Sequence, residues 1–162
     1  MKKLLVIEDD LTSIKILSSS LSNVGELTIK NQIEDGYKSL IESRPDLMLL
    51  DLSLPDGNGL DLLRKIQTVD YHLPVIILSG NESENIKVDA FNLGVVDYIQ
   101  KPYSSLEMRA RVERFLKFNF VISDATVIEK GPIKLNIKNH SIQFQVNKEI
   151  KTIELTKKEF LL

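Results

Sequence analysis

The sequence predicts an α/β protein, with a doubly wound, five-stranded parallel β-sheet followed by a small antiparallel β-sheet. Short, continuous apolar runs recur along the first 118 residues, which is typical of strands buried on both faces of a parallel sheet. Stretches with apolar residues at helical spacing lie between these runs. After residue 118 the helical period is replaced by short alternating apolar sets separated by turn residues, which favours an antiparallel sheet.

The five predicted strands of the first domain differ in strength. The runs at 4–7, 47–50 and 75–78 contain only apolar residues, whereas those at 26–31 and 97–99 are weaker. Parallel strands need long crossover connections, so a helix is expected between each strand and the next.

The predicted helices fall between those strands. Residues 11–23 carry Ile14, Leu17 and Leu21 on one face of the first helix. The other predicted helices are residues 36–43, 60–67, 83–93 and 104–118. Right-handed crossovers place helices on both faces of a sheet whose strand order reverses, and ligands bind beyond the carboxyl ends of the strands at the point of reversal.

Residues 119–162 form the second predicted domain. Its alternating apolar sets predict strands near residues 127–128, 133–137, 142–146 and 150–155. Thr156 and Glu159 have the spacing of a capping box, which predicts a helix beginning at Lys157.

The amino-acid composition limits the cellular locations and the kinds of binding site that are expected. The 162 residues are 43% hydrophobic and 27% charged, with a net charge of −2, which neither implies nor excludes a nucleic-acid partner. The chain has no cysteine, so disulfides and thiolate metal sites are excluded and a reducing, cytoplasmic location is expected. No apolar run approaches the length of a membrane span, so no membrane partner is expected.

Polar side chains follow four of the predicted strands. Glu8 and Asp9 follow the first strand, Asp51 the third, Ser79 the fourth and Lys101 the fifth. If the acids converge, two carboxylates about 4 Å apart repel each other by roughly 4 kcal/mol at an effective dielectric constant of about 20. A hard, oxygen-only site of this kind suits Mg²⁺ rather than zinc.

The remaining two groups predict the chemistry of this site. The Lys101 ammonium and the Ser79 hydroxyl are suited to hold a tetrahedral oxyanion above Asp51. This arrangement predicts a phosphoryl acceptor in which the Asp51 carboxylate is the nucleophile, and transfer depends on positioning and charge neutralisation.

Four motifs resemble the flavodoxin-like receiver domain of two-component response regulators. They are Val-Ile-Glu-Asp-Asp, Leu-Leu-Asp-Leu-Ser-Leu-Pro-Asp-Gly-Asn-Gly, Ile-Leu-Ser-Gly and Asp-Tyr-Ile-Gln-Lys-Pro-Tyr, all within residues 1–118. The resemblance implies that a sensor histidine kinase phosphorylates Asp51. It also implies that Asp9, Asp51 and the Ser53 carbonyl bind Mg²⁺, with Glu8 assisting through water.

The same resemblance assigns three further roles. Ser79 and Tyr98 match the switch residues, which rearrange on phosphorylation and change the surface of the fourth helix, fifth strand and fifth helix. Lys101 matches the phosphate-binding lysine, and its bond to Pro102 is cis in the family.

The tail resembles the start of the winged-helix, DNA-binding domain of the OmpR/PhoB subfamily. The residues that carry this resemblance are Lys-Gly at 130–131, Ile-Lys-Leu-Asn at 133–136 and, above all, Ile-Glu-Leu-Thr-Lys-Lys-Glu-Phe-Leu-Leu at 153–162. Transcription regulation is the implied output, with promoter DNA as a partner only if the effector domain is complete. The chain ends before a recognition helix.

The subfamily also implies a homodimer that forms on phosphorylation. Lys87, Asp97, Glu107 and Arg111 occupy positions that form salt bridges between the subunits of such dimers. Val96 departs from the pattern, because an acidic residue is usual there.

Two other functions use part of the same pattern. Haloacid dehalogenase-like phosphatases share the aspartate nucleophile, magnesium and lysine, but they need a second aspartate two residues after the nucleophile, where this chain has Ser53. The other alternative is a truncated regulator that signals through protein–protein contacts only.

Overall fold

The computed structural model describes residues 1–66, 73–80, 83–123, 127–130, 133–136, 141–146 and 149–154. The chain divides into two compact units, Met1–Leu116 and Lys117–Leu162. Thr156, Glu159 and the helix predicted from Lys157 lie outside the described residues. Within the described residues, no helix has both the length and the apolar character needed to cross a membrane.

The first unit contains a five-stranded, all-parallel sheet and a short hairpin. Its strands are β1 (Lys3–Ile7), β2 (Glu26–Lys30), β3 (Leu47–Asp51), β4 (Ser53–Leu54), β5 (Gly57–Asn58), β6 (Val75–Ser79) and β7 (Asp97–Gln100). The order in the large sheet is β2-β1-β3-β6-β7, and β4 pairs with β5 in the hairpin. The strand order reverses between β1 and β3, which is where ligands bind in doubly wound sheets. The predicted fold class is confirmed.

In the part of the chain that the structure describes, five helices cover the two faces of this sheet. They are α1 (Leu11–Leu21), α2 (Ile33–Ser43), α3 (Gly59–Ile66), α4 (Glu84–Asn92) and α5 (Ser105–Ser123). Leu5 belongs to an apolar cluster with residues of α2, α3 and α4, whereas its neighbour Leu4 belongs to a cluster with residues of α1 and α5. This alternation explains the continuous apolar runs, because both faces of each central strand are buried.

The second unit contains a four-stranded antiparallel sheet, as predicted. Its strands are β8 (Val127–Lys130), β9 (Ile133–Asn136), β10 (Ser141–Val146) and β11 (Glu149–Glu154), in the order β11-β10-β9-β8. Ile142 is paired with Leu135 on one side and Ile153 on the other. Directly opposed residues share a face, so these three side chains form an apolar row across the sheet.

Candidate functional site

The carboxyl edge of the parallel sheet brings three acids together. Ile7 and Leu50 are paired in neighbouring strands, so Glu8 and Asp9, which follow β1, lie beside Asp51 at the end of β3. Carboxylate oxygens of the three acids all lie within 4.8 Å of one another. Glu8 and Asp51 are buried, whereas Asp9 is exposed. The parallel register therefore creates an acidic cluster with one side open to solvent.

Lys101 bridges the two buried acids. Its Nζ lies 2.6 Å from Glu8 Oε2 and 2.6 Å from Asp51 Oδ2. The backbone N–H of Lys101 donates to the carbonyl of Ser79 at 2.9 Å, which ties the segment after β7 to the end of β6. The bond between Lys101 and Pro102 is cis, as predicted.

Burial and the ion pairs act in opposite directions on the pKa values of Glu8 and Lys101. Burial is the largest influence on Glu8 and raises its pKa to about 7, although the Lys101 ammonium acts to lower it. Burial alone would lower the pKa of Lys101, but its ion pairs with Asp51 and Glu8 outweigh burial and raise that pKa. Lys101 therefore keeps its positive charge, which offsets only part of the negative charge of the neighbouring carboxylates.

The residues present fit a hard divalent cation. Glu8 Oε1 accepts from the backbone N–H of Asp10 at 3.1 Å, whereas Oε2 has only the ion pair with Lys101 and no well-directed hydrogen bond among the described residues. Burying a carboxylate oxygen without such a bond raises the free energy of the folded state. The donors that Glu8, Asp9 and Asp51 offer are all oxygens, which suit Mg²⁺.

Asp51 is held by its own loop as well as by Lys101. The backbone N–H of Ser53 donates to Asp51 Oδ1 at 2.9 Å, so each carboxylate oxygen of Asp51 has a different partner. Ser53 begins the β4–β5 hairpin, where it is paired with Asn58. The sequence analysis predicted no strand in this segment.

Asp56, at the turn of this hairpin, is a residue that the sequence analysis missed. Its two carboxylate oxygens accept from the backbone N–H groups of Ile33 at 2.9 Å and Glu34 at 3.1 Å. Gln32, the N-cap of α2, makes no side-chain capping bond. The predicted start of α2 at residue 36 was therefore too late, because the capping carboxylate comes from a distant loop.

Asp10 lies outside the acidic cluster and caps α1. Its Oδ2 accepts from the backbone N–H of Ser13 at 2.7 Å. Ser79 is fully buried at the end of β6, and Tyr98 is buried in β7, where it is paired with Ile77. Of the two predicted switch residues, Ser79 thus lies in β6, which adjoins β3, and Tyr98 lies in β7, the next strand along.

The four predicted interface residues make contacts within one chain. Arg111 lies 2.9 Å from Asp97 and 2.9 Å from Glu107. The Lys87 ammonium lies 5.7 Å from the centre of the Tyr98 ring. Their role between subunits stays a prediction.

The chain is similar in sequence to a known protein family and to named transcriptional regulators. Residues 4–113 match the family described as "Response regulator receiver domain". The chain is 30% identical over 161 residues to the transcriptional regulatory protein DltR of Streptococcus agalactiae, which covers 99% of this chain and 70% of that protein. It is 31% identical over 163 residues to the transcriptional regulatory protein CiaR of Streptococcus pneumoniae. That match covers 99% of this chain and 69% of CiaR.

A solved structure resembles the chain over nearly its whole length. The crystal structure of the response regulator DrrB, described as a Thermotoga maritima OmpR/PhoB homolog, has a TM-score of 0.67 and 28% identity. The match covers 99% of this chain and 69% of that one.

Proposed function

The chain belongs to the response regulator receiver family, and we propose from that premise that its Asp51 accepts a phosphoryl group from a sensor histidine kinase. The observation that carries this proposal is the position of Lys101, whose ammonium lies 2.6 Å from Asp51 Oδ2. A fixed positive charge beside the acceptor offsets the charge that three phosphoryl oxygens bring to the site.

The transfer needs no general base. An oxygen of the Asp51 carboxylate attacks the phosphorus atom, the bond from phosphorus to the donor atom breaks, and the electron pair leaves with the donor. The Ser53 N–H and the Lys101 ammonium orient the Asp51 carboxylate through its two oxygens. Lys101 then neutralises the phosphoryl group, and the Ser79 hydroxyl binds one of its oxygens.

We assign Mg²⁺ to the acidic cluster. Glu8, Asp9 and Asp51 supply carboxylate oxygens, and the family resemblance adds the carbonyl of Ser53. The ion, when bound, offsets the negative charge of the acids and of the transferred group. An exposed Asp9 leaves the cluster accessible to a hydrated ion from solvent.

We propose transcription regulation as the output, because relatives that span both units are named transcriptional regulatory proteins. The phosphorylated form rearranges Ser79 and Tyr98 and dimerises through α4, β7 and α5. In this scheme residues 119–162 begin a winged-helix domain, and promoter DNA is a partner where that domain is complete. The cysteine-free composition agrees with a cytoplasmic location.

The two alternatives differ in standing. A haloacid dehalogenase-like phosphatase is not favoured, because Ser53 offers no carboxyl group as general acid and the matching family is a signalling switch rather than a catalytic enzyme family. A regulator that acts through protein–protein contacts alone uses the same receiver chemistry, and it would differ only in its output.

A labelling experiment tests the proposed function. The protein is incubated with acetyl phosphate in Mg²⁺ or in a chelator, and phosphoprotein is measured by intact mass. We expect Mg²⁺-dependent labelling that Asp51→Asn abolishes. Asp61→Asn is the matched control, because Asp61 is an exposed acid in α3 whose partner is Arg64. Wild-type labelling of Asp51→Asn would overturn the proposal.

A further inference from the structure

The β4–β5 hairpin is attached at two points, and one of them is Asp56. At its base, Ser53 is paired with Asn58 and donates its N–H to Asp51 Oδ1 at 2.9 Å. At its turn, the Asp56 carboxylate accepts from the first two N–H groups of α2. The hairpin therefore connects the start of α2 to the carboxylate of Asp51.

The contact at the turn is specific in both chemistry and shape. Two charge-assisted hydrogen bonds from adjacent N–H groups fix the orientation of the Asp56 carboxylate. Gly57 has a φ of +153°, and a Cβ at this position would lie 3.3 Å from Ile33 Cδ1. The hairpin thus lies close against the first residue of α2. The bonds to Ile33 and Glu34 also lower the pKa of Asp56, so the carboxylate is ionised at neutral pH.

We infer that Asp56 is a positioning residue for the phosphorylation site. By anchoring the turn of the hairpin to α2, its carboxylate holds Ser53 in the position from which the Ser53 N–H orients Asp51. The effect of Asp56 on the metal site rests on the proposed function, in which the Ser53 carbonyl is a ligand of Mg²⁺. It does not require Asp56 to touch the metal or the phosphoryl group.

Removing the anchor should loosen Ser53 and weaken the metal site. Asp56→Ala is expected to speed hydrogen exchange of the Ser53 amide and to weaken Mg²⁺ binding by about tenfold, the scale typical of groups that orient metal ligands. Asp56→Asn keeps one acceptor oxygen and should fall between Asp56→Ala and wild type. Ser53 exchange is measured by NMR, and Mg²⁺ affinity by isothermal titration calorimetry.

Glu42→Gly is the matched control. Glu42 is exposed in the last turn of α2, so glycine there destabilises the same helix without altering the contact with the hairpin. Urea unfolding places both variants on one stability scale. We expect Glu42→Gly to leave Ser53 exchange and Mg²⁺ affinity at wild-type values.

The outcomes separate positioning from helix capping. If Asp56→Ala and Glu42→Gly change Ser53 exchange and Mg²⁺ affinity equally, or if neither variant changes them, the inference is wrong and Asp56 only stabilises α2. If Asp56→Ala does not fold, Asp56→Asn is compared with the same control. A wild-type protein that is not phosphorylated on Asp51 would remove the proposed function, while the exchange and metal measurements would still decide the role of Asp56.

Discussion

Lys101 is the residue on which the electrostatics of the site depend. Its ammonium contacts Glu8 and Asp51, both of which are buried, while the third acid of the cluster faces solvent. One positive charge among three carboxyl groups leaves an excess of negative charge. The resulting site attracts a cation from the exposed side, where Asp9 lies.

Asp9 is the acid whose removal should affect the metal most and the fold least. Asp9→Asn should weaken Mg²⁺ binding by about tenfold, or roughly 1.4 kcal/mol, since the variant loses one charged ligand. Titration calorimetry measures the affinity. Asp10→Asn is the control, because Asp10 caps α1 through Ser13. Because asparagine caps helices about as well as aspartate, Asp10→Asn should keep its stability to within about 0.5 kcal/mol and bind Mg²⁺ as tightly as wild type. Unchanged affinity in Asp9→Asn would remove Asp9 from the metal site.

Asp46 provides a pH-dependent test at the other end of the sheet. It accepts from the Lys3 N–H at 2.7 Å and the Lys2 ammonium at 2.9 Å. Burial alone would raise the pKa of Asp46, but these two bonds outweigh burial and lower it below its usual value of 3.8. The stability gained from a lowered carboxyl pKa is present above pH 3.8 and is lost as the pH falls through the folded-state pKa.

Asp46→Asn should therefore destabilise the protein only while the native carboxylate is ionised. We expect a loss of about 1 kcal/mol at neutral pH, where solvent screening reduces the value of a partly exposed pair. The difference from wild type should close as the pH falls below 3.8 and through the lowered folded-state pKa. Urea unfolding across this range checks the prediction, and a difference independent of pH would contradict the assigned pair.

Gly59, the first residue of α3, lies close against the backbone at the end of β3. A Cβ on Gly59 would lie 2.5 Å from the carbonyl oxygen of Asp51 and 3.0 Å from Leu52 Cα. Both neighbours are backbone atoms, so neither can move without displacing the end of β3. Glycine allows α3 to begin directly against the strand that presents Asp51.

Gly59→Ala should lower the free energy of unfolding by about 1–3 kcal/mol, the usual range for overpacking a buried site. Gly80→Ala is the control, because a Cβ there would meet no atom within 4 Å, and it should change stability by less than about 0.5 kcal/mol. Chemical unfolding measures both variants. Equal stability of the two would mean that β3 and α3 separate easily.

Elements that depend on local patterns could be predicted from the sequence. The apolar runs that became β1, β3 and β6 were recognisable because both faces of these strands are buried. The polar residues at their ends converge because parallel strands present their carboxyl ends at one edge.

Elements that depend on distant partners could not be predicted. The start of α2 rests on Asp56, 23 positions from Ile33 along the chain, and no local signal marks that pair. The Lys101 contact with Glu8 likewise depends on how β7 is ordered in the sheet. Contacts of this kind depend on the order of the strands in the sheet, and the spacing of apolar residues in the sequence does not reveal that order.

For the whole molecule, we predict a symmetric dimer that phosphorylation strengthens through α4, β7 and α5. Arg111 now pairs with Asp97 and Glu107 of its own chain. Exposed ion pairs contribute only about 0–1 kcal/mol each, so an exchange of partners between subunits costs little and mainly sets their alignment.

A charge exchange tests this dimer. Lys87→Glu and Glu107→Lys should each weaken dimerisation of the phosphorylated protein in analytical ultracentrifugation, and the double variant should recover it. Lys38→Glu, an exposed change on α2 beside Glu34, is the control and should have no effect. If the double variant dimerises no better than either single variant, these charges do not face each other.

Asp51 is the proposed phosphoryl acceptor, and locating the phosphorylated residue is the decisive test of this role. Protein labelled with acetyl phosphate and Mg²⁺ is reduced with borohydride, which converts an aspartyl phosphate to homoserine, and is then digested and sequenced by mass spectrometry. We predict conversion at Asp51, with Asp9, Asp10 and Asp56 unmodified. Conversion at another aspartate, with Asp51 intact, would show that the phosphoryl acceptor is a different residue.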